Sequence, residues 1–290
     1  MKPPNFLYAR PDTLEDALRL LSEHGTGAKL LAGGQSLVPM LNLRMAEPKL
    51  LIDMNRVAEL SGIERENGKL RIGALTRHRA LETSREAAQA EPMIARAARE
   101  IGHLAIRNRG TIGGSIAHAD PSAEWPLLAV ALDARVELRS TARTRTVAAR
   151  EFFTGPFTTA AGADEILTAV EFPCAPQQSG FGFQELCRRP GDFAIVAAAG
   201  RVRMRDGRCI GATLAIGGAD ATPRHIAEID RIVAGSRGED AVVREAAAAA
   251  ARVLDPSGDI HASAEYRRKM AAVLVTRALR EAFASVAANS

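Results

Sequence analysis

Apolar residues along the chain keep two periods, and the changes between them mark out the elements. Thr13 precedes LEDALRLLSEHG, where Leu14, Ala17, Leu18 and Leu21 recur at helical spacing and Gly25 supplies a stop. The short apolar run from Lys29 to Ala32 reads as a strand feeding Gly33 and Gly34, with LLID at 50–53 as its neighbour, which makes a small first lobe. Residues 60–75 alternate about Glu66, Asn67 and Gly68, a hairpin signature between Ile63 and the pair Leu70 and Ile72. Helical patterns over about 76–83, 91–101 and 126–132, with strands near 134–139 and 166–172, predict a second α+β lobe. Pro173, Pro176, Gln177 and Gln178 then break all periodicity. Beyond them GFGFQEL, FAIVAAAGRVRM and CIGATLAIGG read as strands, and Asp206 and Gly207 as a turn. An alanine-rich helix over about 239–253 and an amphipathic one over about 264–286 follow, separated by Asp255 and Pro256. The pattern predicts an α+β chain with one domain over 1–176, in lobes of about 1–56 and 57–176, and a smaller one over 179–287, strands before helices.

With 290 residues and 47% apolar content, the chain can bury one large core or two to three modest ones. No apolar run approaches the roughly 20 residues of a membrane helix, and MKPPNFLYARP lacks the core of a secretory signal, so the expected location is cytoplasmic. The net charge is +4 with a pI near 9.2. The densest basic stretch, Arg135 to Arg150, alternates with Val, Leu, Thr and Ala, which reads as solvated strand faces and not a nucleic-acid groove. Cys174, Cys187 and Cys209 are scattered without a C-x-x-C pair, and the histidines form no H-E-x-x-H, so neither a disulfide framework, an iron–sulfur cluster nor a bound metal is expected on this chain.

The candidate chemistry lies in two glycine segments, AGGQSL at 32–37 and TIGGSIAHADP at 111–121. Gly33 and Gly34 lack the Cβ atoms that would hold a diphosphate away from main-chain N–H groups, and Ser36 adds a hydroxyl donor. Gly113 and Gly114, between Thr111 and Ser115, repeat that composition. A lone Gly-Gly is an ordinary tight turn, whereas two such cradles point to one divided, phosphate-bearing ligand.

With these segments, the chain resembles the FAD-binding medium subunits of the molybdenum hydroxylases, such as aerobic carbon monoxide dehydrogenases and relatives of xanthine dehydrogenase. The resemblance runs through FLYARPDTLEDALRLL, KLLAGGQSLVPMLNLR, IRNRGTIGGSIAHADPSAEWP, EILTAVEFP, QELCRRPGDFAIVAAA and SAEYRRKMAAVLVTRAL, nearly end to end. It implies a two-lobed PCMH-type FAD-binding domain followed by a smaller α+β flavoprotein domain, with FAD held non-covalently. By position it carries over Lys29, Leu30, Leu31, Ala32, Gly33, Gly34, Gln35, Ser36 and Leu37 as cofactor contacts, although core packing accounts equally for the leucines. It also carries over Thr111, Ile112, Gly113, Gly114 and Ser115, with His118, Asp120 and Glu124 downstream. Glu124 either meets the flavin or serves as a helix N-terminal carboxylate; Asp120 is otherwise a turn residue and His118 a satisfied loop histidine. Leu167 and Phe193 match positions bordering the ring, and Phe193 either covers the isoalloxazine or starts a core strand. Family members nearer xanthine dehydrogenase carry a lysine at the position of Gln184, a charge missing here, so redox tuning and NAD use are not carried over.

The resemblance further implies a small subunit with [2Fe-2S] clusters, a large subunit with the molybdenum cofactor, and a dimer of heterotrimers. This chain would collect electrons on FAD and pass them to an external acceptor, contributing no catalytic acid, base or nucleophile. A stand-alone flavin oxidase or dehydrogenase, with His118 as its base, and a bridging subunit without flavin are the alternatives from other classes.

Overall fold

The computed structural model describes residues 2–288. The small lobe forms where its apolar stripe predicts. Strand β1 (Leu7–Ala9) leads to helix α1 (Leu14–His24), whose N-cap Thr13 accepts from the N–H of Asp16 and whose Leu14, Ala17, Leu18 and Leu21 are buried. β2 (Ala28–Leu31) and, after helix α2 (Leu37–Asn42), β3 (Leu50–Asp53) complete a parallel sheet of order β1-β3-β2. Its core also takes in Val57, Leu60, Leu75 and Ile166, so the packing runs past residue 56.

The second lobe is a five-stranded antiparallel sheet of order β4-β5-β10-β6-β7. β4 (Ile63–Glu66) and β5 (Lys69–Gly73) form the expected hairpin, its turn made by Asn67 and Gly68 at positive φ. A run of helices follows: α3 (His78–Thr83), α4 (Arg85–Ala90), α5 (Pro92–Ala98), α6 (Leu104–Arg107), α7 (Ile112–His118) and α8 (Glu124–Ala131). β6 (Arg135–Arg139) and β7 (Thr144–Ala148) carry the basic stretch, whose Arg139, Arg145 and Arg150 pair with Glu15, Glu165 and Asp133. α9 (Ala149–Phe152), the short pair β8 (Phe153–Gly155) and β9 (Thr158–Thr159), and β10 (Ile166–Pro173) close the lobe.

The last sheet is antiparallel: β11 (Ser179–Leu186), β12 (Val196–Arg205), β13 (Arg208–Gly217) and β14 (Arg224–His225). Helices α10 (Glu228–Val233), α11 (Asp240–Arg252) and α12 (Ala264–Ala288) follow. Strand alternation divides its two faces. Val196, Ala198, Val202, Leu214 and Ile216 pack with Leu274, Ala278 and Leu279 of α12. Phe183, Ala197, Ala199 and Ala215 face the other way and join the core of the second lobe, beside Trp125 and Leu127. The helix lies so close to β11 that a Cβ on Gly182 would overlap the carbonyl oxygen of Ala278 and stand 2.8 Å from its carbon.

Candidate functional site

The two glycine segments meet, and they are not equivalent. After β2 the chain bends at Gly34, which holds φ 72°, and enters α2. Gly33 sits on the backbone before the second segment: a Cβ there would collide with the Arg109 carbonyl and lie 2.7 Å from Gly110 Cα. Among the described residues nothing accepts from the N–H groups of Gly33, Gly34, Gln35, Ser36 or Leu37. Gln35 Nε2 donates to the Gly33 carbonyl at 2.9 Å, which ties the turn without occupying those donors. Lys29 is exposed, Leu30 and Leu31 are half-buried, and Ala32 meets the second segment, 3.5 Å from where a Gly114 Cβ would stand.

The second segment is the first turn of α7 and not a loop, and its amides, unlike those of the first segment, have partners within the chain. Thr111 is the N-cap, its Oγ1 accepting from Gly114 N at 3.1 Å, and Ser115 N donates to the Thr111 carbonyl at 3.1 Å. Ile112 N and Gly113 N donate to the carbonyls of Thr76 and Ala74 at 3.1 and 2.9 Å. All four amides are therefore engaged within the chain. Gly113 is glycine for packing, since its Cβ would lie 2.5 Å from the Ala74 Cβ, and the Ile112 side chain is fully buried.

Downstream, Asp120 forms a turn, its Oδ1 accepting from Ser122 N at 2.9 Å. His118 is half-buried with its ring 5.1 Å from that of Phe157, and burial lowers its pKa. Glu124 opens α8 and is only 6% exposed; among the described residues no other residue donates to its carboxylate. Burial pushes it up to about 7. The helix is pinned beneath it by Trp125, whose Nε1 donates to His78 Nδ1 at 3.0 Å. Burial keeps that imidazole neutral, down at about 3.

Leu167 lies in β10 opposite Leu138 with its side chain in the core. Phe193 precedes β12 and is 60% exposed, which removes the core-strand alternative. Gln184 turns to α12, donating to Glu281 Oε2 at 2.7 Å, so it faces away from the first domain. Its neighbour Glu185, missed from sequence, shares the inward face with Phe183. Burial together with the nearby Glu124 and Glu100 carboxylates pushes Glu185 up to about 8, and its Oε2 is buried without a hydrogen-bond partner. The period-two pattern was the available signal: Phe181, Phe183 and Glu185 alternate on one face.

The chain thus offers a row of unclaimed amide donors after β2 and, separately, two neighbouring carboxyls, Glu124, which receives no hydrogen bond from another described residue, and Glu185, whose Oε2 is buried without a partner. Such a set suits a ligand with an anionic diphosphate and a ring or polyol bearing N–H or O–H groups. Among the described residues no cluster of three or more His, Cys, Asp or Glu side chains could hold a metal, and no helix is long and apolar enough to cross a membrane.

Comparison with known proteins agrees with that ligand chemistry. Residues 4–175 match the FAD binding domain in molybdopterin dehydrogenase, and 181–282 match the CO dehydrogenase flavoprotein C-terminal domain. The chain is 42% identical over 283 residues to the 6-hydroxypseudooxynicotine dehydrogenase complex subunit alpha of Paenarthrobacter nicotinovorans, covering 97% of this chain and 96% of that one. Its structure matches carbon monoxide dehydrogenase from Hydrogenophaga pseudoflava with a TM-score of 0.96 at 36% identity, covering 98% and 99% of the two chains. Quinoline 2-oxidoreductase from Pseudomonas putida 86 matches with a TM-score of 0.95 at 34% identity, covering 99% of each.

Proposed function

Because the chain belongs to the family of FAD-binding subunits of the molybdopterin dehydrogenases, a family of oxidoreductases, we propose that it is the electron-transferring medium subunit of a heteromeric molybdenum hydroxylase. In this reading it takes electrons from the [2Fe-2S] clusters of a small partner, passes them to an external acceptor, and leaves substrate oxidation to a large partner with the molybdenum cofactor, in a dimer of heterotrimers. Similar chains occur in enzymes named for carbon monoxide, quinoline and 6-hydroxypseudooxynicotine, which supports substrate selection elsewhere than on this fold.

The observation that carries the site is the unclaimed run of amides from Gly33 to Leu37. These donors bind the diphosphate, with the Ser36 hydroxyl beside them and Lys29 on the strand leading in. Gly114 and Ser115 flank the turn across from Ala32, while Thr111, Ile112 and Gly113 fix that flank in place. At the far end Glu124 accepts hydrogen bonds from the ligand, and the exposed Phe193 covers the ring. Leu167 supports the site from the core; His118 and Asp120 shape the loop into α8. FAD, once bound, supplies both one-electron and two-electron steps. Residues 1–176 carry the site and 179–287 close it.

The test is the visible absorption of the purified chain followed by denaturation. Released FAD near one per chain is expected, with occupancy reduced in Ser36→Ala and lost in Gly34→Ala. Full occupancy in both variants would overturn the site, and failure to co-purify with iron–sulfur and molybdenum chains on co-expression would overturn the assembly.

A further inference from the structure

The amide row can receive a diphosphate only if the turn is held open at a fixed distance from the second segment, and neither segment does this by itself. Two side chains outside both motifs bridge them. Asn55 lies just past β3. Its Nδ2 donates to the Ala32 carbonyl at 2.9 Å and to Asp53 Oδ1 at 2.5 Å, and its Oδ1 accepts from Arg77 Nη2 at 2.5 Å. The other end of the same guanidinium, Nη1, donates to the Arg109 carbonyl. That carbonyl is the one on which Gly33 rests. Asp53, 8% exposed, anchors the chain of contacts, accepting from Tyr8 Oη at 2.5 Å and from Asn55 N at 3.0 Å. Arg77 also pairs by backbone with Thr111, the N-cap of α7.

We infer that Asn55 and Arg77 are positioning residues for the cofactor: together they strap the 33–37 turn to the 109–111 backbone, so that the diphosphate meets a preformed row of donors. The inference rests on the site proposed above. Side-chain chemistry makes both residues hard to replace. Aspartate at 55 would lose both donors and face Asp53, and lysine at 77 would keep the charge yet reach only one of the two oxygens. Since an unstrapped turn would have to be ordered by the ligand, affinity falls while the donors themselves remain.

The experiment titrates the apo chain with FAD, ADP and riboflavin, reading flavin fluorescence directly and ADP by competition, alongside thermal melting. For Asn55→Ala, Asn55→Asp, Arg77→Met and Arg77→Lys we expect about tenfold or greater weakening of FAD and ADP, which carry the diphosphate, with riboflavin affinity unchanged. Equal weakening of riboflavin would mean a merely structural role and overturn the inference, as would wild-type FAD affinity in the two conservative variants. Gly34→Ala separates the two levels. If it loses FAD while the strap variants do not, only the strap is wrong; if it binds FAD as the wild type does, the site is wrong.

Discussion

Replacing Arg201 by methionine removes one half of the ion pair that joins β12 to the start of α5. Arg201 Nη1 lies 2.9 Å from Glu91 Oε2, with side-chain exposures of 13% and 0%. Glu91 is also the N-cap of α5, accepting from Met93 N at 3.4 Å. Burial raises its pKa even with the guanidinium beside it. Losing one partner of such a pair destabilises by about 3–5 kcal/mol, which at roughly 2–4 °C per kcal/mol lowers the melting temperature by about 6–20 °C. The loss has a definite pH dependence. In the variant Glu91 relieves its burial by taking a proton, so its folded pKa stands further above the unfolded value of about 4.3. The folded state then holds the extra proton, and stability is fullest below the unfolded pKa and declines as pH rises through the folded one, by at most about 1.4 kcal/mol per unit. Melting followed by circular dichroism at about pH 5.5 and about pH 8 should show a deficit that widens at the higher pH. The double variant Glu91→Gln/Arg201→Met should recover most of it, because no charge remains buried. A deficit below about 2 °C at both pH values, or one that does not grow with pH, would refute the reasoning.

Gly182→Ala forces α12 off the sheet, because the new Cβ overlaps the Ala278 carbonyl; overpacking of this kind costs about 1–3 kcal/mol, seen as a lower melting temperature. Gly155→Ala, whose Cβ would find its nearest neighbour 3.9 Å away, is the control and should melt as the wild type. His78 predicts acid sensitivity. The unfolded imidazole titrates near 6.5 and the folded one at about 3, so stability conferred by the neutral ring is present above the first value and is lost as pH falls toward the second, by up to about 1.4 kcal/mol per unit. His78→Gln keeps an acceptor for Trp125 and should flatten that slope in urea unfolding between about pH 6 and about pH 4; identical slopes would contradict the assignment.

Elements with a one-sided apolar stripe or a diagnostic turn were readable from sequence, as α1 with Thr13 and Gly25 and the Asn67-Gly68 hairpin demonstrate. β1 was not, because it is three residues long with Leu7 and Tyr8 exposed, and it exists only by pairing with β3. α2 was hidden by Gly33, Gly34 and Pro39, which signal turn and not helix. The bend at Gly34 and the close backbone approach at Gly33 were legible in the glycines themselves, whereas the packing of Gly113 depends on Ala74, from a distant part of the chain, pressing against it. Asn55–Arg77 and Glu91–Arg201 carry no local signal, since each pair is made by the meeting of separate elements. Burial at Glu124 was likewise invisible: a carboxylate at a helix start is unremarkable until Trp125 and the last sheet enclose it.

The inward face of the last sheet, with Phe183, Ala197, Ala199 and Ala215 completing the core around Trp125 and Leu127, makes the two halves poor modules for exchange. A chimera that borrows its C-terminal half from a relative would inherit side chains shaped to another partner's α5 and α8, and would have to bring along the counterparts of Glu91 and Arg96 that meet Arg201 and Phe183. Grafting the cofactor domain alone would uncover that same apolar seam to water. Evolution of this chain must therefore revise both sides of the seam together, and sequence drift on one half is constrained by the other.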